Sequence, residues 1–429
     1  MQNKYVEDLI RFIKENEDWK DKLLHKPYSL KNILNVSYIP NSFMFNYNLF
    51  ESELSNPIVK ACRGTILEIS PDRSVVKPVA LPFYKFFNMG DVNGDTIDWT
   101  TAKSRDKVDG QLIKFFKVDG KNFWCTNGSP NVETPLDYTD DKIENYKDLL
   151  ESAVLCRTID TLAKKSERES YSLTGKDGAW HMYTTGKGTG PTGWIDNVPD
   201  GWTLMFELTS PYNRIIVKYD DIKLWFHGAR DPEGLEHDPE DIKELFGLPY
   251  DVPKQYYFDG FDEAFAELDK WDGLAQEGIV VCDADFHRVK IKCEDYLKMK
   301  FIRDVDTPKG IFWIMISEEY DDLASYPDLQ KKAVEQKDEL ISVMEKFKVF
   351  HKYVTDKRAE FPDQKSFAVD FANNQKSPSL YFQAAKKSEK DFIDGLMSSL
   401  KSETTGYDKY LELKNFIDSM SSENPTSLV

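Results

Sequence analysis

The chain has 429 residues and a net charge of −18, long enough for two domains with ample cores and too acidic for a broad nucleic-acid coat, so an anionic partner could meet only local basic patches. Five cysteines, at 62, 125, 156, 282 and 293, show no Cys-x-x-Cys spacing and no clustered histidines. That pattern excludes a zinc ribbon and a disulfide framework and suits a reducing compartment.

Residues 4 to 24 have the spacing of one amphipathic helix, with Leu9, Phe12, Ile13 and Leu23 among its apolar positions. Met1 to Trp19 holds no apolar signal core, and the longest uninterrupted apolar run is Ile311 to Ile316. A soluble cytoplasmic protein with no membrane partner is expected. Strands are predicted at Phe43 to Phe50, Gly64 to Ser70 and Val75 to Val79. Two features stand out here: Tyr47, and Cys62-Arg63-Gly64 at the mouth of a strand. Next, Pro82 to Asn88 sets Lys85 among aromatic residues, where a lysine packs its stem and keeps its amine in water.

Lys107-Val108-Asp109-Gly110 places an amine and a carboxylate ahead of an alternating run, a suitable way to present a lysine to a nucleotide phosphate. An identical tetrapeptide follows at Lys117-Val118-Asp119-Gly120. The second copy lies between two strand-like runs, Gln111 to Phe116 and Asn122 to Thr126, and Asp-Gly favours the positive φ angles of a hairpin turn. Lys117 therefore reads as part of a turn, and Lys107 as the candidate nucleophile.

From Glu133 to Lys165 the pattern is helical and polar, and the glycine-rich stretch Thr184 to Pro191 lacks the glycine and hydroxyl positions of a phosphate loop. Glu207 lies inside the apolar run Thr203 to Thr209, where a carboxylate needs a cation or a ligand hydroxyl. Further strands are predicted at Asn213 to Val217, Lys223 to His227 and Gln276 to Val281, with a short helix at Phe261 to Trp271 before the last of them. Arg288 to Lys292 puts Lys290 and Lys292 on one face of a strand. From Asp285 to Arg303 six arginines and lysines face three acids, a positive segment in an acidic chain. After Thr307-Pro308, apolar residues recur at helical steps, as in Leu340, Val343, Phe347, Phe350 and Val354 and again in Tyr410, Leu413, Ile417 and Met420.

In this order, Lys107-Val-Asp-Gly, Phe206-Glu207-Leu208, Lys223 to His227, Glu277-Gly278-Ile279-Val280 and Lys290-Ile291-Lys292 resemble motifs I, III, IIIa, IV and V of the covalent nucleotidyltransferases. More narrowly, the chain resembles the phage-type RNA ligase 1 family through Cys62-Arg63-Gly64, Lys85-Phe86-Phe87-Asn88 and Pro211 to Ile215. The resemblance spans roughly residues 40 to 325; Asn127 stands where the family has a basic residue.

The resemblance implies an α+β fold: residues 1–304 form an adenylyltransferase domain of two antiparallel sheets with flanking helices, and 305–429 an all-helical C-terminal domain. It implies an ATP-dependent ligase joining RNA 5′-phosphate and 3′-hydroxyl ends through lysyl-AMP, in RNA or tRNA repair, with single-stranded RNA ends or tRNA loops as partners. A monomer is expected, in the host cytoplasm if phage-encoded. Lys107 carries the AMP, and Lys290 and Lys292 stabilise phosphate charge. Two cations at ~5 Å from Lys107 would each disfavour its ammonium by about 3 kcal/mol at an effective dielectric near 20, which favours a reactive amine. Tyr47, Arg63, Lys85, Glu207 and Glu277 join these lysines in binding the nucleotide, with Trp225, Phe226 or His227 over the adenine. Asp109, Glu277 and Asp321 are the implied ligands of Mg2+, for which Mn2+ can substitute, and Tyr296 lies near the RNA end. The alternatives are a messenger-RNA capping guanylyltransferase, a DNA ligase, and a catalytically silent RNA-binding protein on the same scaffold. The first two families usually place an all-β oligonucleotide-binding domain after motif V, where this chain has helices. Lysines at 346, 352, 386 and 387 make the helical domain a candidate RNA contact.

Overall fold

The computed structural model describes residues 4–49, 51–136, 143–154, 193–301, 307–316, 327–402 and 405–423. The chain divides into two compact units, Met1–Lys300 and Phe301–Val429.

The single helix expected over residues 4 to 24 is two, Lys4–Glu15 and Trp19–Leu24. Asn16 causes the break: its side-chain amide donates to the Phe12 carbonyl at 2.8 Å, ending the first helix with a side chain instead of another turn. Val6, Leu9, Ile13, Trp19 and Leu23 still form one buried stripe, packed on a sheet ordered β1 (Asn32–Asn35), β2 (Ser42–Asn46), β3 (Arg63–Ile69), β4 (Val76–Ala80). The opposite face of that sheet, through Met44, Ile66 and Val79, meets Phe116 and Phe123 of the next sheet.

Among the described residues there are two further sheets. One is ordered β11 (Glu236–His237), β10 (Lys223–Arg230), β9 (Thr203–Thr209), β7 (Gln111–Val118), β8 (Lys121–Thr126), and is antiparallel throughout. The other is ordered β12 (Gln255–Tyr256), β6 (Lys103–Asp106), β13 (Gly278–Cys282), β14 (Arg288–Lys292), β5 (Phe87–Asn88). The N-terminal sheet thus adds to the two expected, and β5 joins β14 in parallel.

The hairpin reading holds: β7 and β8 pair from Ile113–Thr126 to Val118–Lys121. Asp119 and Gly120 turn with φ of 50° and 72°, the geometry that Asp-Gly favours. Asn213 to Val217 is not a strand. The amides of Ile216 and Val217 donate to the Asp109 carboxylate, not to a neighbouring strand, so the segment is a loop fixed to the Lys107 turn. In the region read as helical from Glu133, the described helix is Tyr146–Val154, preceded by a bridge between Pro135 and Asn145. The glycine-rich stretch Thr184 to Pro191 lies outside the described residues.

The second unit is helical, with a 33-residue helix, Pro327–Ala359, as its longest element. Leu340, Val343, Phe347, Phe350 and Val354 are buried along it. Phe347 and Phe350 pack with Phe392 of Glu389–Ser399 and Phe416 of Gly406–Glu423, so the 3–4 periodicity marks a true core stripe.

Candidate active site

Lys107 follows β6, and its amide donates to the Gly278 carbonyl at 2.8 Å, tying the lysine turn to the start of β13. Glycine is required on both sides of this contact. A Cβ at Gly110 would lie 2.5 Å from the Leu208 carbonyl oxygen, and one at Gly278 would collide with the Ile291 carbonyl. Gly278 also has φ of 153°, outside the range that side-chain-bearing residues adopt easily. The glycines following Asp109 and Glu277 are thus where three strands approach too closely for a side chain.

Glu277, 2% exposed, lies between two lysines: Oε2 accepts from Lys107 Nζ at 2.6 Å, and Oε1 lies 2.9 Å from Lys292 Nζ. A buried carboxylate is costly unless paired, and here two ammonium groups compensate one. This arrangement corrects the charge argument drawn from the sequence. Lys292 does not face Lys107 as a bare cation, because Glu277 stands between them. Lys290 occupies the same face of β14, which alternates with buried Val289 and Ile291.

Asp109 is 4% exposed and fully engaged. Oδ2 accepts from the amides of Ile216 and Val217, both at 2.9 Å, and Oδ1 from the Tyr296 hydroxyl at 2.9 Å. Its role here is to fasten the loop after β9 and the helix Glu294–Phe301 to the lysine turn. Tyr296 is itself fully buried, with the Lys292 ammonium 5.3 Å from its ring centroid. In this arrangement its hydroxyl supports Asp109. Asp321 lies outside the described residues. Among the described residues no group of three His, Cys, Asp or Glu side chains could hold a metal ion. Asp109 accepts three hydrogen bonds and each Glu277 oxygen lies against a lysine, so a metal here would have to compete with these partners.

Glu207 pairs across the sheet with Trp225 on β10 and Leu112 on β7. Its carboxylate lies 3.5 Å from His227 Nε2, so the acid in the apolar run has found an imidazole. Of the three residues considered for covering adenine, Phe226 is fully buried in the core behind the sheet. Trp225 shares the Glu207 face, its indole N–H donating to Thr209 Oγ1 at 3.2 Å, and His227 joins them at a bulge between Phe226 and Gly228. The bulge is why simple alternation was ambiguous at that position.

A second cluster gathers the remaining residues. Lys85 Nζ lies 5.7 Å from the Tyr47 ring centroid and 5.3 Å from that of Phe87. The Arg63 guanidinium is 5.7 Å from the Phe86 ring and reaches the Phe83 carbonyl at 3.5 Å. The following Phe87–Asn88 pairs with Val289 and Lys290 of β14, so one backbone ladder links this cluster to the lysine pair. Lys117, the twin of Lys107, is placed elsewhere: its amine donates to the carbonyls of Ile195 and Val198 at 3.1 and 2.9 Å.

Sequence reasoning missed three groups. Lys114 is fully buried in β7; burial pushes its ammonium down, and its amine donates to the Gly64 carbonyl. Gly64 has φ of 81°, and a Cβ there would lie 2.8 Å from Lys114 Nζ, which accounts for the glycine after Arg63. Arg288 and Arg230 converge on buried Glu236, bracing β14 against β10 and β11. Tyr219 accepts the Asp109 amide at 3.1 Å. Only Lys114 carried a sequence signal, a lysine flanked by Leu112-Ile113 and Phe115-Phe116.

A family profile described as RNA ligase matches residues 61–297, more than half of the chain. The chain belongs to the phage T4 RNA ligase 1 family of RNA ligases. A protein of Autographa californica nuclear polyhedrosis virus, provisionally named a bifunctional polynucleotide kinase/RNA ligase, is 27% identical over 302 residues, covering 67% of this chain. The chain spans only 38% of that relative's length. Two solved structures of an archaeal ATP-dependent RNA ligase align with TM-scores of 0.35 at 9% and 11% identity. They cover 65% and 63% of this chain and 69% and 66% of theirs. Among the described residues no helix is long and apolar enough to cross a membrane.

Proposed function

We propose that this chain is an ATP-dependent RNA ligase whose nucleophile is Lys107. The Lys107 amine attacks the α-phosphorus of ATP and displaces diphosphate, leaving lysyl-AMP. The AMP passes to an RNA 5′-phosphate, and an RNA 3′-hydroxyl then displaces AMP as the phosphodiester forms. The observation that carries this reading is the meeting of Lys107, Glu277 and Lys292 at 2.6 and 2.9 Å, three residues from distant segments, in a chain of the RNA ligase family.

In this reading Glu207 holds the ribose, with Trp225 and His227 on its face of the sheet toward the base. Tyr47, Arg63 and Lys85 bind the phosphates, and Lys290 and Lys292 offset charge at the reacting phosphorus. Lys107 must lose its proton before it attacks, and Glu277, already its hydrogen-bond partner, is the nearest group to receive it. Magnesium would supply phosphate neutralisation; no step here is assigned to it. The helical unit selects the RNA, and the natural role is repair of broken RNA ends in a host cytoplasm.

Incubation with each α-labelled nucleoside triphosphate, followed by denaturing electrophoresis, tests the reading. Covalent label from ATP is expected. Label only from GTP would point to a capping enzyme, and no label to a silent RNA-binding protein.

A further inference from the structure

Tyr219 belongs to neither of the clusters anticipated from sequence, yet it sits against the nucleophile turn. It lies on the loop between β9 and β10 that Asp109 anchors through the amides of Ile216 and Val217, both at 2.9 Å. The anchoring is reciprocal, because the Tyr219 hydroxyl accepts the Asp109 N–H at 3.1 Å. That bond occupies an oxygen lone pair and leaves the hydroxyl hydrogen, for which no protein acceptor is found among the described residues. Burial raises the hydroxyl's pKa, the Asp109 N–H that it accepts lowers it, and the carboxylates of Asp109, Glu277 and Glu207 raise it. A phenol is protonated at neutral pH, so the group is a neutral donor. A hydroxyl with one lone pair engaged and its proton unspent can donate one directed hydrogen bond.

We propose that Tyr219 is a substrate-contacting residue that donates its hydroxyl hydrogen to a non-bridging oxygen on the α-phosphate of the nucleotide bound beside Lys107. The inference rests on the ligase reading above and adds a residue to it. A neutral donor suits this place. It can face a phosphate with Asp109, Glu277 and Glu207 close by, where a further carboxylate would repel the nucleotide and a further lysine would pair with Glu277. The contact with the Asp109 amide holds the Tyr219 hydroxyl against the turn that carries Lys107.

The test is Tyr219→Phe, which keeps the ring and removes the hydroxyl, with lysyl-nucleotide formation followed for ATP and for the two diastereomers of its α-phosphorothioate. With ATP the variant is expected to react about 10- to 100-fold more slowly, the range for a hydrogen bond to a charged group. With the diastereomer whose sulfur replaces the accepting oxygen, wild type is already slow, and wild type and variant should agree within about threefold, since sulfur is a poor acceptor. With the other diastereomer the full difference should persist. If the variant loses the same factor with ATP and both diastereomers, Tyr219 only holds the Asp109 amide and the proposal fails. It also fails if the variant labels with ATP at the wild-type rate. Failure of the wild-type chain to label with ATP would overturn the ligase reading itself, a result separable from either of these.

Discussion

Replacing Glu277 by glutamine isolates the electrostatics of the site. The carboxylate is 2% exposed and contacts Lys107 Nζ at 2.6 Å and Lys292 Nζ at 2.9 Å. At an effective dielectric near 20, each contact is worth about 6 kcal/mol of gross Coulomb attraction. Desolvating one carboxylate and the largely buried Lys292 cancels much of that sum, and removing one member of such a group typically costs about 3 to 5 kcal/mol. Glutamine preserves shape but leaves two ammonium groups facing one another, at roughly 5 Å a repulsion of about 3 kcal/mol by the same arithmetic. Glu277→Gln should therefore lower the stability of the first unit by about 3 to 5 kcal/mol, measured by urea unfolding followed through tryptophan fluorescence. Lys107→Ala should cost clearly less, because Glu277 keeps Lys292. The reasoning is refuted if Glu277→Gln unfolds at the wild-type midpoint, for then the carboxylate does not bridge the two lysines in solution.

Lys107→Ala should abolish covalent labelling by ATP while Lys117→Ala, which removes only contacts to the Ile195 and Val198 carbonyls, leaves it largely intact; a peptide map with AMP on Lys117 would contradict the assignment. Phe226→Ala should cost about 3 to 5 kcal/mol of stability, as large core truncations do, whereas Trp225→Ala should raise the KM for ATP with a much smaller change in unfolding midpoint. Gly110→Ala should block labelling in a chain that still folds, since the added carbon meets the Leu208 carbonyl beside Lys107 at 2.5 Å; labelling at the wild-type rate would refute that close approach. A chain ending near Lys331, which keeps Asp321, should still form lysyl-AMP but discriminate poorly among RNA ends, and unchanged RNA preference and salt dependence would assign the helical unit another role.

The strands were legible where period and punctuation agree. Gln111 to Phe116 is a strand-like run of aliphatic and aromatic residues, Asp119-Gly120 supplies two positive φ angles, and the hairpin forms as read. The helical core was legible for the same reason, with Leu340 through Val354 buried at the expected steps. Asn213 to Val217 misled because its run of β-branched and apolar residues is strand-like, while what fixes it is a carboxylate about a hundred positions earlier in the chain. No local pattern records that Asp109 takes the amides of Ile216 and Val217. The break after Glu15 was available in principle, because Asn16 is a residue whose side chain competes for backbone partners.

The site was legible as a set of residue types and illegible as a circuit of charges. Lys107, Glu277 and Lys292 could each be named from their segments, but the sign of their mutual effect depends on which lies between the others. Taken alone, the lysines of β14 predict repulsion on the Lys107 amine; with Glu277 interposed, each of Lys107 and Lys292 meets a carboxylate oxygen first. The same holds for Asp109 and Tyr296, implied by the resemblance as a metal ligand and an RNA contact: no local pattern records that the two hydrogen-bond each other. In the proposed reaction, activation of Lys107 calls for a rearrangement of the Lys107–Glu277–Lys292 chain when the triphosphate binds. Its negative charge competes with Glu277 for Lys292, and the carboxylate that gives up one lysine becomes a better acceptor for the proton of the other.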